Sequence, residues 1–215
     1  MNARLWSAAA ALIATLAPGG PVRGEGERAG DFDYYVLALT WTPSFCAGEG
    51  RGHDVCADAD GVGFSLHGLW PQYDDGWPSY CPTPHRDPSR RDTAAQADLF
   101  GSSGSAWHQW NKHGTCSGLA AGDYYRLAEE AFDQVRRPDV LRGLERAVTL
   151  PATVVEDAFL EADPTLAADG VTVTCRDGRI AEVRICLDRS LDPQVCTGRT
   201  ARDCARDDAL LPPVE

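Results

Sequence analysis

Two short segments hold the residues able to do chemistry. Phe64 to Gln72 reads FSLHGLWPQ and Trp107 to Cys116 reads WHQWNKHGTC. Between them they carry three of the five histidines of the chain, His67, His108 and His113, with Lys112 directly before His113. Imidazoles can exchange protons near neutral pH, so two of them in opposite states make an acid and base pair. An ammonium beside them can stabilise the charge that builds on a phosphate oxygen in a transition state. The set favours phosphoryl transfer over acyl transfer. A lone histidine is more often structural than catalytic, but three of them with a lysine weaken that reading. Zinc ligation is the other reading of clustered histidines. Their spacing is not that of H-E-x-x-H, and Lys112 would repel a cation, so no metal site is expected.

The elements that must position these residues follow from local pattern. Ser105 can cap a helix that Gly114 ends. On such a helix Lys112, Gln109 and His113 fall about 40°, 100° and 140° from His108. The four polar heads then share one face, while Trp107 and Trp110 project toward a core from the other. Asp33 to Thr42, rich in aromatic and β-branched residues, reads as a central strand buried on both faces. Gly61 to Leu66 reads as a second strand ending at His67, where Gly68 permits close backbone approach and Pro71 stops the pairing. Tyr73 to Arg91 is rich in Pro and Asp and reads as a long surface loop. Helical spacing marks Asp92 to Phe100, Asp123 to Arg137, Val140 to Ala147 and Ala152 to Ala162, with Asp123 as a cap and Pro138 as a stop. Val171 to Cys175 and Ile180 to Leu187 flank Asp177-Gly178, a hairpin signal. The expected fold is α+β, a mostly antiparallel central sheet with flanking helices.

FSLHGLWPQ and WHQWNKHGTC resemble the two active-site segments of the ribonuclease T2 family, and DFDYYVLALTWTPSFC at residues 31 to 46 is similar to its opening strand. The resemblance runs from Asp31 to about Cys204. It implies that His67 and His113 are the acid and base pair, that Lys112 stabilises the pentacoordinate phosphorane, and that His108 binds the phosphate. It also implies that Trp70 stacks on a base. Tyr73, Trp77 and Tyr80 could stack on bases as well, or could serve as apolar lids over the loop. Gln72 stands where some relatives have an acid that reads the base. One departure matters. Family members usually carry Glu at the position of Gln109, and an amide can hydrogen-bond but cannot hold a proton or a charge.

The activity so implied is an endoribonuclease needing neither metal nor cofactor, cutting single-stranded RNA by 2′-OH attack through a 2′,3′-cyclic phosphate. RNA is the expected partner, DNA is left uncut, and the chain is expected to be a monomer. Two alternatives remain open. Gln109 favours a weakened or silent, RNA-binding or toxin-like relative, and a metal-dependent phosphodiesterase is the third class.

Residues 1 to 24 carry Arg4, an apolar run from Leu5 to Ala17 and a Pro/Gly-rich stretch. That is the layout of a secretory signal peptide, with cleavage after Ala17 or near Gly24. The run is too short to span a membrane comfortably, and no later stretch reaches about 18 apolar residues. A secreted or periplasmic protein without a membrane span is expected, with residues 25 to 215 as a single domain and an acidic, solvated tail from about 205. The formal net charge of -12 would by itself argue against a nucleic-acid partner. If RNA is bound, it must be bound locally in a small cationic pocket. Cys46, Cys56, Cys81, Cys116, Cys175, Cys186, Cys196 and Cys204 are even in number, which in an exported chain argues for four disulfides and against a thiol catalyst. Spacing leaves their connectivity open. The resemblance suggests Cys81 with Cys116, Cys46 with Cys56, Cys186 with Cys196 and Cys175 with Cys204. His53 and His85 have no assigned role.

Overall fold

Strand alternation places Tyr35, Leu37, Leu39 and Trp41 on one face of β1 (Tyr34–Trp41), and all four are buried in the main core. In the computed structural model, which describes residues 27–52, 54–57 and 61–214, β1 is followed by α1 (Thr42–Ala47), β2 (Phe64–Gln72), α2 (Arg90–Ala94), α3 (Ala97–Phe100) and α4 (Ser103–Lys112). Then come α5 (Ala121–Gln134), α6 (Asp139–Arg142), β3 (Val148–Leu150), α7 (Ala152–Ala162), β4 (Val171–Arg176), β5 (Arg179–Leu187) and β6 (Ala209–Leu211). The signal-peptide reading of residues 1 to 24 lies outside the described residues.

The strands form one sheet in the order β2-β1-β5-β6-β3, with β4 paired to β5. The pairings are antiparallel except for the short parallel contact of β5 with β6. The expected α+β fold with a mostly antiparallel sheet is therefore the observed one. One face of the sheet packs against α5 and α7, where Leu37, Leu39, Val183 and Ile185 join Tyr124, Ala128, Val155 and Phe159 in a single core. The other face is polar at one end. There the register aligns Thr40 with Ser65 and Glu182, and Thr174 with Glu182. At its other end that face is closed by a small cluster of Tyr34, Val36, Cys186 and Cys196.

β2 begins at Phe64 and continues through Gln72, so Pro71 does not stop it. β2 is the sheet's edge, and an edge strand tolerates a residue without an N–H. The pairing with β1 slips once. Ala38 faces Gly68 and Leu39 faces Leu66, which leaves His67 as the unpaired residue of a β-bulge. His67 thus lies within the strand rather than at its end.

Other expectations are corrected in detail. The helix expected over Asp92 to Phe100 is two short helices, the first capped by reciprocal Ser89 and Asp92 contacts. The one expected over Val140 to Ala147 stops at Arg142 with Gly143 as its C-cap. α5 starts at Ala121, and Asp123 sits in its first turn as the partner of Arg126 instead of capping it. The last segment is not a solvated tail, because β6 pairs with β3 and both Ala209 and Leu211 are fully buried. Pro212 accepts a hydrogen bond from the Trp41 indole at 3.0 Å, which anchors the chain end beneath β1.

The cysteines form Cys46–Cys56, Cys81–Cys116, Cys175–Cys204 and Cys186–Cys196, the pairing that the resemblance implies. Cys81–Cys116 fastens the loop after β2 to the turn after α4. Leu211→Ala should cost about 2 to 5 kcal/mol, the range for emptying a buried leucine site, read as a shift in the urea unfolding midpoint. A loss within ~0.5 kcal/mol, as for a surface position, would show that the segment is dispensable.

Candidate active site

α4 starts one turn earlier than its sequence suggests. Ser102, not Ser105, is the N-cap, and its hydroxyl accepts the Ser105 N–H at 3.0 Å. Gly114 lies beyond the helix, whose C-cap is His113. A Cβ on Gly114 would stand 2.6 Å from Trp110 and 2.8 Å from Tyr124, so glycine lets the ensuing turn pack closely on both rings. Trp110 is fully buried as expected, whereas Trp107 is 45% exposed and takes no part in the core.

The polar residues of α4 meet β2 at one point. Trp70 donates its indole N–H to Gln109 Oε1 at 2.8 Å. Its ring lies 5.1 Å from both His113, which it stacks on, and His67, which it meets edge-on. The contact forms directly over Gly68, where a Cβ would lie 2.3 Å from Gln109 Oε1 and 2.4 Å from Trp70 Nε1. Trp70 therefore touches both imidazoles, with Arg184 5.5 Å from its ring, and is itself half-buried.

The two imidazoles sit in opposite electrostatic settings. His67 is exposed on its bulge, and its Nδ1 lies 2.5 Å from Glu182 Oε1, in hydrogen-bond contact. The other carboxylate oxygen of Glu182 receives Arg184 Nε at 2.9 Å and a second guanidinium nitrogen at 2.8 Å. Burial works to raise the Glu182 carboxyl, but the hydrogen bond and charge of His67, with Arg184, outweigh it and hold the group below the ordinary carboxylate range. His113 is buried, and its Nδ1 has no hydrogen-bond partner among the described residues. Burial first, then the charges of Lys112, His67 and His108, push it well below the ordinary imidazole value. His108 is pulled down less, by desolvation and then by Lys112 and His67.

His67, His108, Gln109, Glu182 and Arg184 line a cleft of about 590 Å³, floored by the polar face of the sheet. Lys112 is half-buried, and its backbone carbonyl accepts the Tyr80 N–H at 2.9 Å. This contact and Cys81–Cys116 hold the loop bearing Trp77 and Tyr80, both exposed. Gln72 and Tyr73 do not join the site. Both are buried, Gln72 bonding its own strand's Pro71 carbonyl and Tyr73 donating to Glu27. Continuing the strand through Pro71 turns them into the structure. Sequence reasoning missed Glu182 and Arg184. The signal that marks them is Glu182-Val183-Arg184 in an otherwise apolar run, two charges on one face of a strand. Among the described residues, no group of three or more His, Cys, Asp or Glu is placed to hold a metal ion.

Comparison with known proteins bears on the family and the fold. A family model described as the Ribonuclease T2 family matches residues 32–196. A protein named Ribonuclease from Aeromonas hydrophila is 44% identical over 134 residues, 61% of this chain and 60% of that relative. The match thus spans about three fifths of the relative's length. Ribonuclease 1 of Arabidopsis thaliana is 28% identical over 74% of this chain and 77% of its own length. Among solved structures, an RNase-related protein from Calystegia sepium superposes with a TM-score of 0.67 at 20% identity, over 84% of this chain and 97% of that one. RNase NT in complex with 5′-AMP gives a TM-score of 0.53 at 22% identity, over 85% and 98%. At these identities the structures establish a shared fold.

Gly68→Ala should displace Trp70 from Gln109. The expected outcome is a fall of about 100-fold in kcat/KM on RNA, as for a small misplacement of catalytic groups, with the circular dichroism spectrum retained. Unchanged kinetics would show that the contact over Gly68 does not position the site.

Proposed function

The chain belongs to the ribonuclease T2 family, and from that premise we propose that it is a metal-independent endoribonuclease acting on single-stranded RNA by transesterification. The observation that carries this reading is the pair of imidazoles around Trp70, one on an ionised carboxylate and one buried without a charged partner.

His113, kept neutral by burial, is the base that removes the ribose 2′-OH proton. The 2′ oxygen then attacks the adjacent phosphorus. Lys112 and His108 face the charge that gathers on the phosphorane. His67 protonates the departing 5′ oxygen, and Glu182 holds its Nδ1–H so that the opposite nitrogen faces the cleft. The product is a 2′,3′-cyclic phosphate, which the same pair can hydrolyse with roles exchanged. Trp77 and Tyr80, exposed on the disulfide-held loop, are the aromatic surfaces for stacking on bases. DNA lacks the 2′-OH and is not a substrate. Four disulfides suit an oxidising compartment, so the protein acts as a secreted or periplasmic enzyme.

The deciding assay is purified protein with RNA and matched DNA in excess EDTA. RNA fragments ending in cyclic phosphate are expected, with the DNA intact. Loss of activity in EDTA would identify a metal-dependent phosphodiesterase, and RNA bound but uncut would identify a silent relative.

His67→Ala and His113→Ala should each lower kcat by ~100 to 10,000-fold, the effect of losing an acid or base. Near-normal turnover in either folded variant would end the assignment.

A base must be deprotonated to act, so activity falls as pH drops through the His113 value. That value lies well below the ordinary imidazole, and the acid limb of kcat/KM should lie well below pH ~6.5. Gln109→Glu would place a carboxylate beside His113, stabilise its protonated form and move that limb upward. A limb that stays fixed, or moves down, would show that another group controls it.

A further inference from the structure

The cleft extends beyond the catalytic residues to the β4–β5 turn. Its floor carries Thr174, Glu182 and Arg184 near His67, and Arg176 and Arg179 at the far end. The chain turns there through Asp177 and Gly178, both in the left-handed region at φ 48° and 77°. That tight turn sets Arg176 and Arg179 directly opposite each other as register partners. Like charges in that position destabilise a strand pair. Arg176 is compensated by an ion pair with Glu49 of the segment after α1. Arg179 has no ion pair among the described residues, and its guanidinium makes one long hydrogen bond, 3.5 Å, to the Asp177 carbonyl. A molecule of net charge -12 thus keeps one guanidinium without an ion pair among the described residues, Arg179, beside the Arg176–Glu49 pair, at the end of the cleft that begins at His67 and His108.

We propose that Arg176 and Arg179 form a phosphate subsite that grips the RNA backbone at a nucleotide outside the pair joined by the scissile bond. The inference rests on the reading of the cleft as an RNA-cleaving site. Its physical content is separate. Arg179 has no carboxylate to satisfy it, Arg176 stands opposite it, and each guanidinium can present paired N–H donors to the oxygens of a phosphate lying between them. A dinucleotide ends at the catalytic residues and cannot reach them, whereas a longer strand lying on the polar floor can. The subsite would let an acidic protein prefer polymers over short products and release those products readily.

Arg179→Ala carries the test, because it breaks no ion pair among the described residues. Arg176→Ala is the second variant and Arg179→Lys the conservative one. Binding is read by fluorescence anisotropy with a labelled 2′-O-methyl hexanucleotide, which lacks a free 2′-OH and cannot be cut. Alongside it, KM and kcat are measured on a dinucleotide. The expected result is about tenfold weaker hexanucleotide binding in Arg179→Ala, partial recovery in Arg179→Lys and unchanged dinucleotide kinetics. The slope of log affinity against log salt should flatten by roughly 0.7 for each phosphate that is no longer neutralised. Hexanucleotide binding that is unchanged in Arg179→Ala, or absent from the unmodified protein, overturns the proposal. So does a dinucleotide KM that rises as much as the hexanucleotide Kd, since the arginines would then act through the fold or the catalytic centre. If the hexanucleotide binds in an Arg179-dependent way while no RNA is cut, the subsite stands and the ribonuclease reading falls.

Discussion

Trp70 reaches Gln109 across 2.8 Å, and the molecule brings its edge strand and α4 together at that hydrogen bond. Everything around it is arranged to permit the approach. Gly68 leaves out the Cβ that would block it. The disulfide Cys81–Cys116 holds the far end of the helix segment to the loop that follows the strand. Tyr124, from the core helix behind, donates to the Leu69 carbonyl at 3.0 Å and fixes β2 from the opposite side. With strand and helix fastened, both imidazoles are set against one indole, and their separation no longer depends on the surface loops.

Seen from sequence, Gln109 is a catalytic carboxylate gone missing. In the fold it is a buried acceptor whose oxygen already has a donor, at a position where a charge would be costly to bury. A carboxylate is still present, but it enters from the sheet. Glu182 reaches His67 on one oxygen and is held by Arg184 on the other. The two histidines thereby become chemically unlike through environment alone. One faces an ionised partner at the solvent edge, and the other is enclosed, stacked and close to Lys112. This division of roles between identical side chains is what a two-proton reaction requires.

The legible parts of this structure were those with a period or a turn signature. β1, the β4–β5 hairpin and α7 have unbroken patterns, and their expected and observed limits differ by a residue or so at each end. Strands of three residues such as β3 and β6 contain no period, and the acidic composition around β6 hid the two buried positions, Ala209 and Leu211, that seat it. That the two histidine-bearing segments meet was legible because their residue types are rare together. Glu182 was not, since its role arises from strand register and from a partner 115 residues away in the chain. Gln72 is buried because backbone pairing carries the strand past its proline, and Tyr73, first residue of the loop that composition marks, is buried where it donates to Glu27.

The bulge at His67 decides more than the direction of one side chain. Before it, Phe64 and Leu66 face the core; after it, Leu69 does, while Trp70 joins the opposite face. The single unpaired residue inverts the parity of the strand. Without it, the alternation that buries Leu66 would bury Gly68, Trp70 and Gln72 in turn, and Leu69 would be turned outward. An ordinary packing strand and one that presents an imidazole to a cleft and sets an indole beside it therefore differ here by one residue in length. The arrangement of side chains on β2 is, in this sense, an indel: a reading-frame shift written in side-chain faces rather than in codons.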